Sequence, residues 1–269
     1  MSSGSLLNGY DVVACQDCGF CFADSIPEQM IFDHYYTEMS KYEYSDHDGI
    51  QSDTDLQRFR EAADLISPHL DTNVSLLDIG CATGGLLAEF KRRGFADLFG
   101  VDPSPACAET TQRLYGIPAR PLSISTLDQL GDRFDVIVLT GVLEHLRDVD
   151  FALNMMKTCL RSGGYIYYEV PDATRYDQHF SAPFQFFSME HVNFFSPKSL
   201  TNLLARFSFS CIFTERVTRH LSPIAIEPGI GSLFRWDSPN LAETPFMRDD
   251  ETEAALRRYI IHGDRNKCA

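Results

Sequence analysis

Residues 78–84 read Asp-Ile-Gly-Cys-Ala-Thr-Gly, a combination of an acidic residue and glycines that could cradle a nucleotide-like ligand. The glycines allow the backbone to turn tightly and to approach a ligand closely. The carboxylate of Asp78 would repel a pyrophosphate, and the order of the glycines departs from the G-x-G-x-x-G pattern of dinucleotide enzymes. The same carboxylate suits a cationic ligand with an amino group. We therefore expect this loop to hold such a ligand rather than a nicotinamide dinucleotide.

A second carboxylate, that of Asp102, ends a later apolar run and could accept hydrogen bonds from two ribose hydroxyls. In an open α/β sheet the ligand lies beyond the carboxyl ends of the strands, so the loop after one strand and the residue that ends the next face the same ligand. The separation of Asp78 and Asp102 is near the roughly 20 residues that dinucleotide enzymes also show. The spacing therefore indicates a nucleoside.

Several side chains could remove a proton from a second ligand bound beside that loop. His145 follows a predicted strand in Leu-Glu-His-Leu, Glu190 and His191 are adjacent in an aromatic segment, and Tyr36 and Tyr42 precede the core. Histidine suits proton abstraction at neutral pH because its ordinary pKa is near 6.5. Each histidine could instead pack or line the ligand pocket, and Glu190 could bind substrate.

Cys15, Cys18 and Cys21 form a Cys-x-x-Cys-Gly hairpin pattern that is typical of a zinc knuckle. A closed zinc site needs four ligands, and the residues before Cys15 include no other cysteine or histidine. The alternatives are a degenerate zinc ribbon and a buried apolar hairpin whose thiols bind no metal. The other cysteines are scattered, so we expect reduced thiols rather than a disulfide framework.

The elements that must position these residues alternate from about residue 74 onward. Nearly continuous apolar runs indicate strands that are buried on both faces, and helices of about ten residues between them indicate parallel crossovers. We expect an α/β fold with a Rossmann-like, doubly wound and mostly parallel sheet. The predicted strands are 75–80, 97–102, 118–123, 134–141, 164–170 and 207–217, and the predicted helices are 52–67, 84–94, 104–116, 149–160 and 197–207.

The flanking segments are expected to be less regular. Residues 173–197 are rich in phenylalanine and tyrosine without a helical stripe, which favours a lid or substrate-binding loop. Residues 221–248 are punctuated by proline and glycine and predict a loop-rich tail, and a helix over 249–263 has no evident partner in the chain. The expected segments are 1–50 as an N-terminal cap with the cysteine hairpin, 51–220 as the core, and 221–269 as a C-terminal extension, consistent with a further domain cut short.

The composition of the 269 residues excludes some partners. The formal net charge of −15 makes nucleic acid an unlikely partner, because binding to a polyanion needs a basic surface. No run approaches the roughly 18 apolar residues of a membrane helix, and the N-terminus does not have the pattern of a signal peptide. We expect a cytoplasmic protein that acts on a small molecule.

The string over 78–84 resembles motif I of the class I S-adenosylmethionine-dependent methyltransferases, D/E-x-G-x-G-x-G, with Ala82 in place of the middle glycine. Residues 133–149 resemble the strand 4 region of that family, and residues 160–172 resemble its strand 5 with a Gly-Gly turn. The resemblance covers about residues 74–172.

This resemblance implies S-adenosylmethionine as the cofactor. The glycine loop would line its methionine part, Asp102 would hold its ribose, and the pair Ser123 and Ile124 would bracket its adenine. The cofactor-binding residues that it implies are Asp78, Gly80, Cys81, Ala82, Gly84, Asp102, Pro103, Ser123, Ile124, Thr140 and Gly141.

A narrower resemblance comes from the Cys-x-x-Cys-Gly start, the tyrosine-rich segment before the core and the string EHVNFFSPKSLTNLL. Together they look like the bacterial C-methyltransferases that act on keto-deoxysugar nucleotides, in which a zinc ribbon precedes the core. That group implies His191 as the base, Glu190 and His145 as helpers, and Tyr36 or Tyr42 as an upstream hydroxyl.

The chain also departs from that group, because the first pair of zinc cysteines is missing. O- or N-methylation of a small metabolite therefore competes with C-methylation, since it needs only one base. A non-enzymatic cofactor-binding module is a further alternative. A nucleotide-sugar acceptor would need cations near its phosphates, and Arg175, Arg206 and Arg219 are the candidates.

Overall fold

Strands and helices alternate along most of the chain in the computed structural model, which describes residues 10–38, 51–178, 190–222, 225–237 and 246–266. The strands within these residues are β1 (Asp11–Ala14), β2 (Cys21–Asp24), β3 (Ser75–Ile79), β4 (Asp97–Asp102), β5 (Ala119–Pro121), β6 (Phe134–Thr140), β7 (Leu160–Pro171), β8 (Asn193–Phe194), β9 (Phe209–Ser222) and β10 (Ala225–Trp236). The α-helices are α1 (Gln29–Glu38), α2 (Asp53–Ile66), α3 (Gly85–Arg92), α4 (Pro105–Tyr115), α5 (Val149–Cys159), α6 (Pro197–Arg206) and α7 (Glu251–Asn266).

A seven-stranded sheet in the order β5-β4-β3-β6-β7-β10-β9 forms the centre of the molecule. The strands from β5 to β7 are parallel, and β10 is antiparallel to both of its neighbours. Every residue of β3 is buried, and the adjacent Leu76 and Leu77 belong to two different apolar clusters because successive side chains point to opposite faces. The prediction of a doubly wound, mostly parallel α/β fold is confirmed. The carboxyl ends of β3, β4 and β6 meet at one edge.

The prediction of a loop-rich tail over 221–248 is wrong for β10. Glycine and proline in this stretch resemble turn signals, but here they let two strands pass close to other side chains. A Cβ atom on Gly231 would lie 2.6 Å from the hydroxyl of Tyr167, and one on Gly229 would lie 3.0 Å from Cδ of Arg219. The glycines therefore reflect close packing between strands rather than a loop.

Helix α7 has a partner, contrary to the expectation from the sequence. Leu256 is buried against Tyr176, Phe194 and Cys21, in a cluster that joins the C-terminal helix to the cysteine hairpin. The backbone N–H of Asp249 also donates to the carbonyl of Cys18 at 2.9 Å. The partner was hidden because it is assembled from distant segments, namely the cysteine hairpin and the chain around Tyr176 and Phe194.

A small sheet in the order β1-β2-β8 joins the N-terminal hairpin to the chain that follows the aromatic segment. Residues 179–189 of the predicted lid lie outside the described residues, whereas Ala173–Gln178 form a 3-10 turn. The expected division of the chain at residues 50 and 220 stays a prediction. No helix in the described ranges has the length and apolar character needed to cross a membrane.

Candidate active site

The loop from Gly80 to Gly84 joins the end of β3 to the start of α3 and adopts left-handed backbone conformations. Gly80 and Gly84 have φ values of 76° and 83°, and Ala82 has a φ of 47°. A Cβ atom on Gly80 would lie 2.5 Å from Cγ2 of Val142. Glycine at position 80 is therefore required by both the backbone conformation and the close approach of the chain after β6.

Two buried carboxylates lie beside this loop. Asp102 is held by backbone N–H groups, since Ala82 donates to its Oδ2 and Ser104 donates to its Oδ1, each at 2.9 Å. Asp78 is 2% exposed, and its Oδ1 has no hydrogen-bond partner among the described residues. Burial, with a further contribution from the charge of Asp102, raises the pKa of Asp78 to about 8. An ammonium or hydroxyl donor on a ligand would satisfy this carboxylate.

One pocket lies beyond the carboxyl ends of β3, β4 and β6, where the fold places ligands. Of the predicted cofactor-binding residues, Gly80, Asp102, Pro103, Ser123, Ile124, Thr140 and Gly141 line it. Its remaining described lining residues are Gln29, Asp33, Tyr35, Tyr36, Ile79, Leu122, Val142, His145, Leu146 and Glu190.

The other predicted cofactor residues lie behind this surface. The chain at Asp78, Ala82 and Gly84 shapes the loop without lining the pocket. The side chain of Cys81 points away from the pocket, because a Cβ atom on Gly100 would lie 2.7 Å from its Sγ. These residues support the pocket through the backbone and through buried charge.

Of the predicted proton-transfer residues, Tyr36, His145 and Glu190 line the other side of the same pocket, whereas His191 does not line it and contacts the ring of His145. Nδ1 of His145 lies 2.9 Å from the carbonyl oxygen of Glu190 and 3.1 Å from the hydroxyl of Tyr36. Because a carbonyl oxygen only accepts, Nδ1 carries a hydrogen, and Nε2 is the ring atom left to accept a proton. The rings of His145 and His191 are 4.8 Å apart at a steep angle. Tyr42 lies outside the described residues.

The segment that carries Glu190 and His191 is fixed by contacts to the chain after β6. The backbone N–H of Val192 donates to the carbonyl of Glu144 at 2.8 Å. The side-chain amide of Asn193 donates to the carbonyl of Leu146 at 2.6 Å. These bonds explain why two distant stretches share one site.

The comparisons with known proteins agree with this geometry. The methyltransferase domain family matches residues 54–212, which is more than half of the chain. The chain belongs to this family. Membership confirms the predicted enzyme class, the S-adenosylmethionine-dependent methyltransferases, and the predicted cofactor.

The curated relatives match only part of this methyltransferase. The ubiquinone biosynthesis O-methyltransferase of Rhizobium etli (strain CIAT 652) is 35% identical over 109 residues, which cover 39% of this chain and 44% of that protein. The protein of the same name from Rhizobium rhizogenes is 37% identical over 97 residues, or 34% of this chain and 39% of that protein. The methyltransferase thus spans less than half the length of these relatives.

Solved structures share the fold at low sequence identity. Magnesium protoporphyrin IX methyltransferase from Synechocystis PCC 6803 with bound SAH has a TM-score of 0.60 at 13% identity and covers 78% of this chain and 100% of that chain. The 1,6-didemethyltoxoflavin-N1-methyltransferase of Burkholderia thailandensis, bound to its substrate and S-adenosylhomocysteine, has a TM-score of 0.57 at 21% identity and covers 85% of this chain and 100% of that chain.

Helix α1 contributes Gln29 and Asp33 to the methyltransferase site, which sequence reasoning missed, beside Tyr35, which the sequence offers as a candidate base together with Tyr36 and Tyr42. The hydroxyl of Tyr35 donates to Oε1 of Glu190 at 2.6 Å, and burial together with this carboxylate raises the pKa of Tyr35 to about 12. Gln29 donates to Oδ1 of Asp33 at 3.0 Å. Residues 29, 33 and 36 have the spacing of one helix face, which is the signal that could have identified them.

A buried charge cluster lies behind the proton-transfer residues of the methyltransferase. Nη1 of Arg219 is 2.8 Å from Oε2 of Glu227 and 3.5 Å from Oε1 of Glu144, and its Nε is 3.4 Å from Oε1 of Glu169. Burial raises the pKa of Glu227, which Arg219 partly offsets. Three carboxylates thus share the charge of this arginine.

The thiols of Cys15, Cys18 and Cys21 do not come together as a group of metal ligands among the described residues, and zinc binding by this hairpin stays a prediction. Sγ of Cys21 donates to the carbonyl of Gly19 at 3.5 Å, and burial raises the pKa of this thiol to about 12. A Cβ atom on Gly19 would lie 1.7 Å from the carbonyl oxygen of Asp249, so the turn packs tightly on the chain before α7. The hairpin and its remaining thiols, Cys15 and Cys18, are better explained as a docking surface for the C-terminal segment.

In the part of the chain that the structure describes, the metal-type ligands that come together are those of Glu144, His145 and His191, with one atom of each within 4.8 Å of the others. Glu144 already pairs with Arg219, and Nδ1 of His145 already donates to a backbone carbonyl.

Proposed function

We propose that this methyltransferase transfers a methyl group from S-adenosylmethionine to a hydroxyl oxygen of a small acceptor. The acceptor would lie between α1 and the turn after β6. The observation that carries the proposal is the imidazole of His145 at the edge of the pocket that also holds Asp102, in a described lining that offers no lysine or arginine to a phosphate group. The names of the curated relatives, which are O-methyltransferases, support oxygen as the methylated atom.

The cofactor would occupy the side of the pocket formed by the glycine loop. Asp78, buried behind the glycine loop, offers a negative charge that attracts its ammonium group when ionised, and Asp102 in the pocket lining offers carboxylate oxygens to its ribose hydroxyls. Ser123 and Ile124 supply a polar and an apolar contact for the adenine. When bound, S-adenosylmethionine supplies an electrophilic methyl group.

The residues of the chain then align the acceptor and remove its proton. Transfer to oxygen is an in-line displacement, so rate depends on holding the hydroxyl in line with the methyl group and on taking its proton. Nε2 of His145 is available for that proton because Nδ1 already donates to Glu190. The ring of His191 lies 4.8 Å from that of His145, so it is the second imidazole that could take up the proton.

C-methylation of a keto-deoxysugar nucleotide is the second candidate. The contact between the Tyr36 hydroxyl and His145 favours it, because a phenol and an imidazole together could handle an enolate. The charges near the pocket favour it less, since its described lining includes Asp33, Asp102 and Glu190 but no lysine or arginine.

The arginines expected near a nucleotide-sugar phosphate have other surroundings. Arg206 pairs with Asp150 on the surface, and Arg219 is buried among carboxylates. Arg175 lines a separate cavity next to Arg216. A neutral hydroxylated acceptor therefore has more support than a diphosphate.

The first experiment is calorimetric binding of S-adenosylmethionine, S-adenosylhomocysteine and NADH to the purified chain. Micromolar binding of the two sulfur ligands alone is the expected result. An acceptor screen with catechol, simple phenols, amines and a keto-deoxysugar nucleotide follows, with mass spectrometry to detect the added methyl group and NMR to locate it. Turnover of the sugar at carbon would replace the O-methylation proposal with the second candidate, and cofactor binding without any turnover would favour a non-enzymatic module.

Comparison of His145→Gln with His191→Asn identifies the base. If His145 accepts the proton, kcat with the acceptor found by the screen falls further in His145→Gln than in His191→Asn. The reverse order would return the role of base to His191, as the narrower sequence resemblance implies.

A further inference from the structure

We propose that Glu144 is a positioning residue whose buried carboxylate stabilises the proton that His145 and His191 take up. The inference rests on the proposed function, because it concerns the fate of the acceptor proton. Glu144 directly precedes His145 in the turn after β6 and is 1% exposed. Neither of its carboxylate oxygens has a hydrogen-bond partner among the described residues.

The geometry directs this carboxylate at the imidazole. Oε1 of Glu144 lies 3.9 Å from Nε2 of His145, the nitrogen that remains free to accept a proton. A nitrogen of His191 lies within 4.8 Å of both groups. The backbone carbonyl of Glu144 also accepts from Val192, so the same residue holds the segment that carries His191.

The neighbours of Glu144 neutralise its negative charge only in part, so this charge can stabilise a proton added to an imidazole. Arg219 on β9 faces it, but this arginine also contacts Glu169 on β7 and Glu227 on β10. Beyond these groups, the charge of Arg58 on α2 acts on Glu227. Burial, and after it the charges of Glu227 and Glu144, raises the pKa of the nearby Tyr176 hydroxyl.

The residues that face the imidazoles from other elements are polar but uncharged or acidic. Tyr36 on α1 contacts His145, and Tyr35 on the same helix donates to the carboxylate of Glu190. Behind the imidazoles, three glutamates thus share the charge of Arg219. An additional positive charge on an imidazole is therefore favoured.

The chemistry needs such compensation. In the proposed transfer a carbon–sulfur bond breaks, an oxygen–carbon bond forms, and the hydroxyl proton passes to an imidazole nitrogen. The product imidazolium is costly in a site with little water unless an opposite charge is close. Glu144 acts through the histidines and does not touch the acceptor, so its loss should affect turnover rather than cofactor binding.

The test compares Glu144→Gln with Glu169→Gln. Both substitutions remove one carboxylate from the same arginine, but Glu144 is the one that approaches His145. NMR of the imidazole nitrogens across pH should show that His145 loses about tenfold in proton affinity in Glu144→Gln and less than threefold in Glu169→Gln. Glu144→Asp, which keeps the charge, should stay close to the wild type.

Kinetics and binding complete the test. With the acceptor found by the screen, kcat should fall tenfold to a hundredfold in Glu144→Gln, with the Kd of S-adenosylhomocysteine unchanged. Equal effects of the two glutamine variants on His145, or no effect of either, would overturn the proposal. The NMR measurement needs no acceptor. If the wild-type protein showed no turnover, the proposed function would be contradicted, and the proposed effect of Glu144 on the histidines would still be decided by the NMR result.

Discussion

The two sides of the pocket differ in how far apart their residues lie along the chain. On the cofactor side the contacts come from residues 79–141, mostly at the carboxyl ends of adjacent strands. On the acceptor side Tyr35 and Glu190 touch although they are 155 positions apart. The cofactor side is therefore set by a local motif, and the acceptor side by packing between distant segments. Substitutions on the cofactor side should therefore change the affinity for the cofactor, and substitutions on the acceptor side should change turnover.

The largest expected effect is on the acceptor side. His145→Gln removes the imidazole proposed to receive the acceptor proton, so kcat should fall by about 10²- to 10⁴-fold. The Kd of S-adenosylhomocysteine, measured by calorimetry, should stay within about threefold of the wild type because no cofactor contact changes. His34→Gln, at an exposed position on α1, serves as the control. A large loss of cofactor affinity in His145→Gln would show that the two sides are not separable.

Asp102→Ala should produce the opposite pattern. The substitution removes the carboxylate offered to the ribose, which costs about 1–3 kcal/mol and thus about 5- to 150-fold in affinity for S-adenosylhomocysteine. At saturating cofactor kcat should change much less. Asp97→Ala, at the exposed start of the same strand, is the matched control. Unchanged affinity in Asp102→Ala would move the ribose contact away from β4.

The pH dependence of cofactor binding sharpens the comparison further. With its pKa raised to about 8, Asp78 is mostly protonated at pH 7 in the free protein. A ligand ammonium prefers the ionised form, so affinity for S-adenosylhomocysteine should rise up to about tenfold per pH unit from pH 6 towards 8 and then level off. Binding below pH 8 should also release a proton, which calorimetry detects as a dependence of the enthalpy on the buffer.

Asp78→Asn is the control for this dependence. The amide does not titrate, so the variant should bind S-adenosylhomocysteine with an affinity that varies little over the same range. A slope that persists in Asp78→Asn would assign the titration to another group.

The residues on the side of the pocket that we assign to the cofactor are the easier ones to predict from the sequence, because the patterns that identify them are local. Asp78, Gly80 and Asp102 follow apolar runs whose period identifies the strands, and strand ends place them at one edge of the sheet. The role of Glu144 gives no such signal, because it depends on a distance to His145 and on an arginine in β9. The missed strand β10 has the same cause, since Gly231 is explained by the Tyr167 hydroxyl of another strand.

Ala82 stands where motif I of the methyltransferases has its middle glycine, and its backbone conformation is unfavourable for alanine. Ala82 has a φ of 47°, a left-handed conformation that disfavours residues with a Cβ atom by about 1–2 kcal/mol. Ala82→Gly removes this strain, but it also adds freedom to the unfolded chain worth about 0.4–1 kcal/mol. The free energy of unfolding should therefore rise by roughly 0.5–1 kcal/mol.

The measurement for Ala82→Gly is denaturant unfolding beside Ala88→Gly. Ala88 lies within α3, where glycine should lower the free energy of unfolding by about 0.5–1 kcal/mol. The two substitutions are chemically identical and six residues apart in the same structural unit, so opposite signs would isolate the backbone conformation as the cause. The same sign would mean that the loop relaxes around Ala82, and that the glycine pattern of the cofactor side reflects close approach to Val142 and the ligand more than backbone strain.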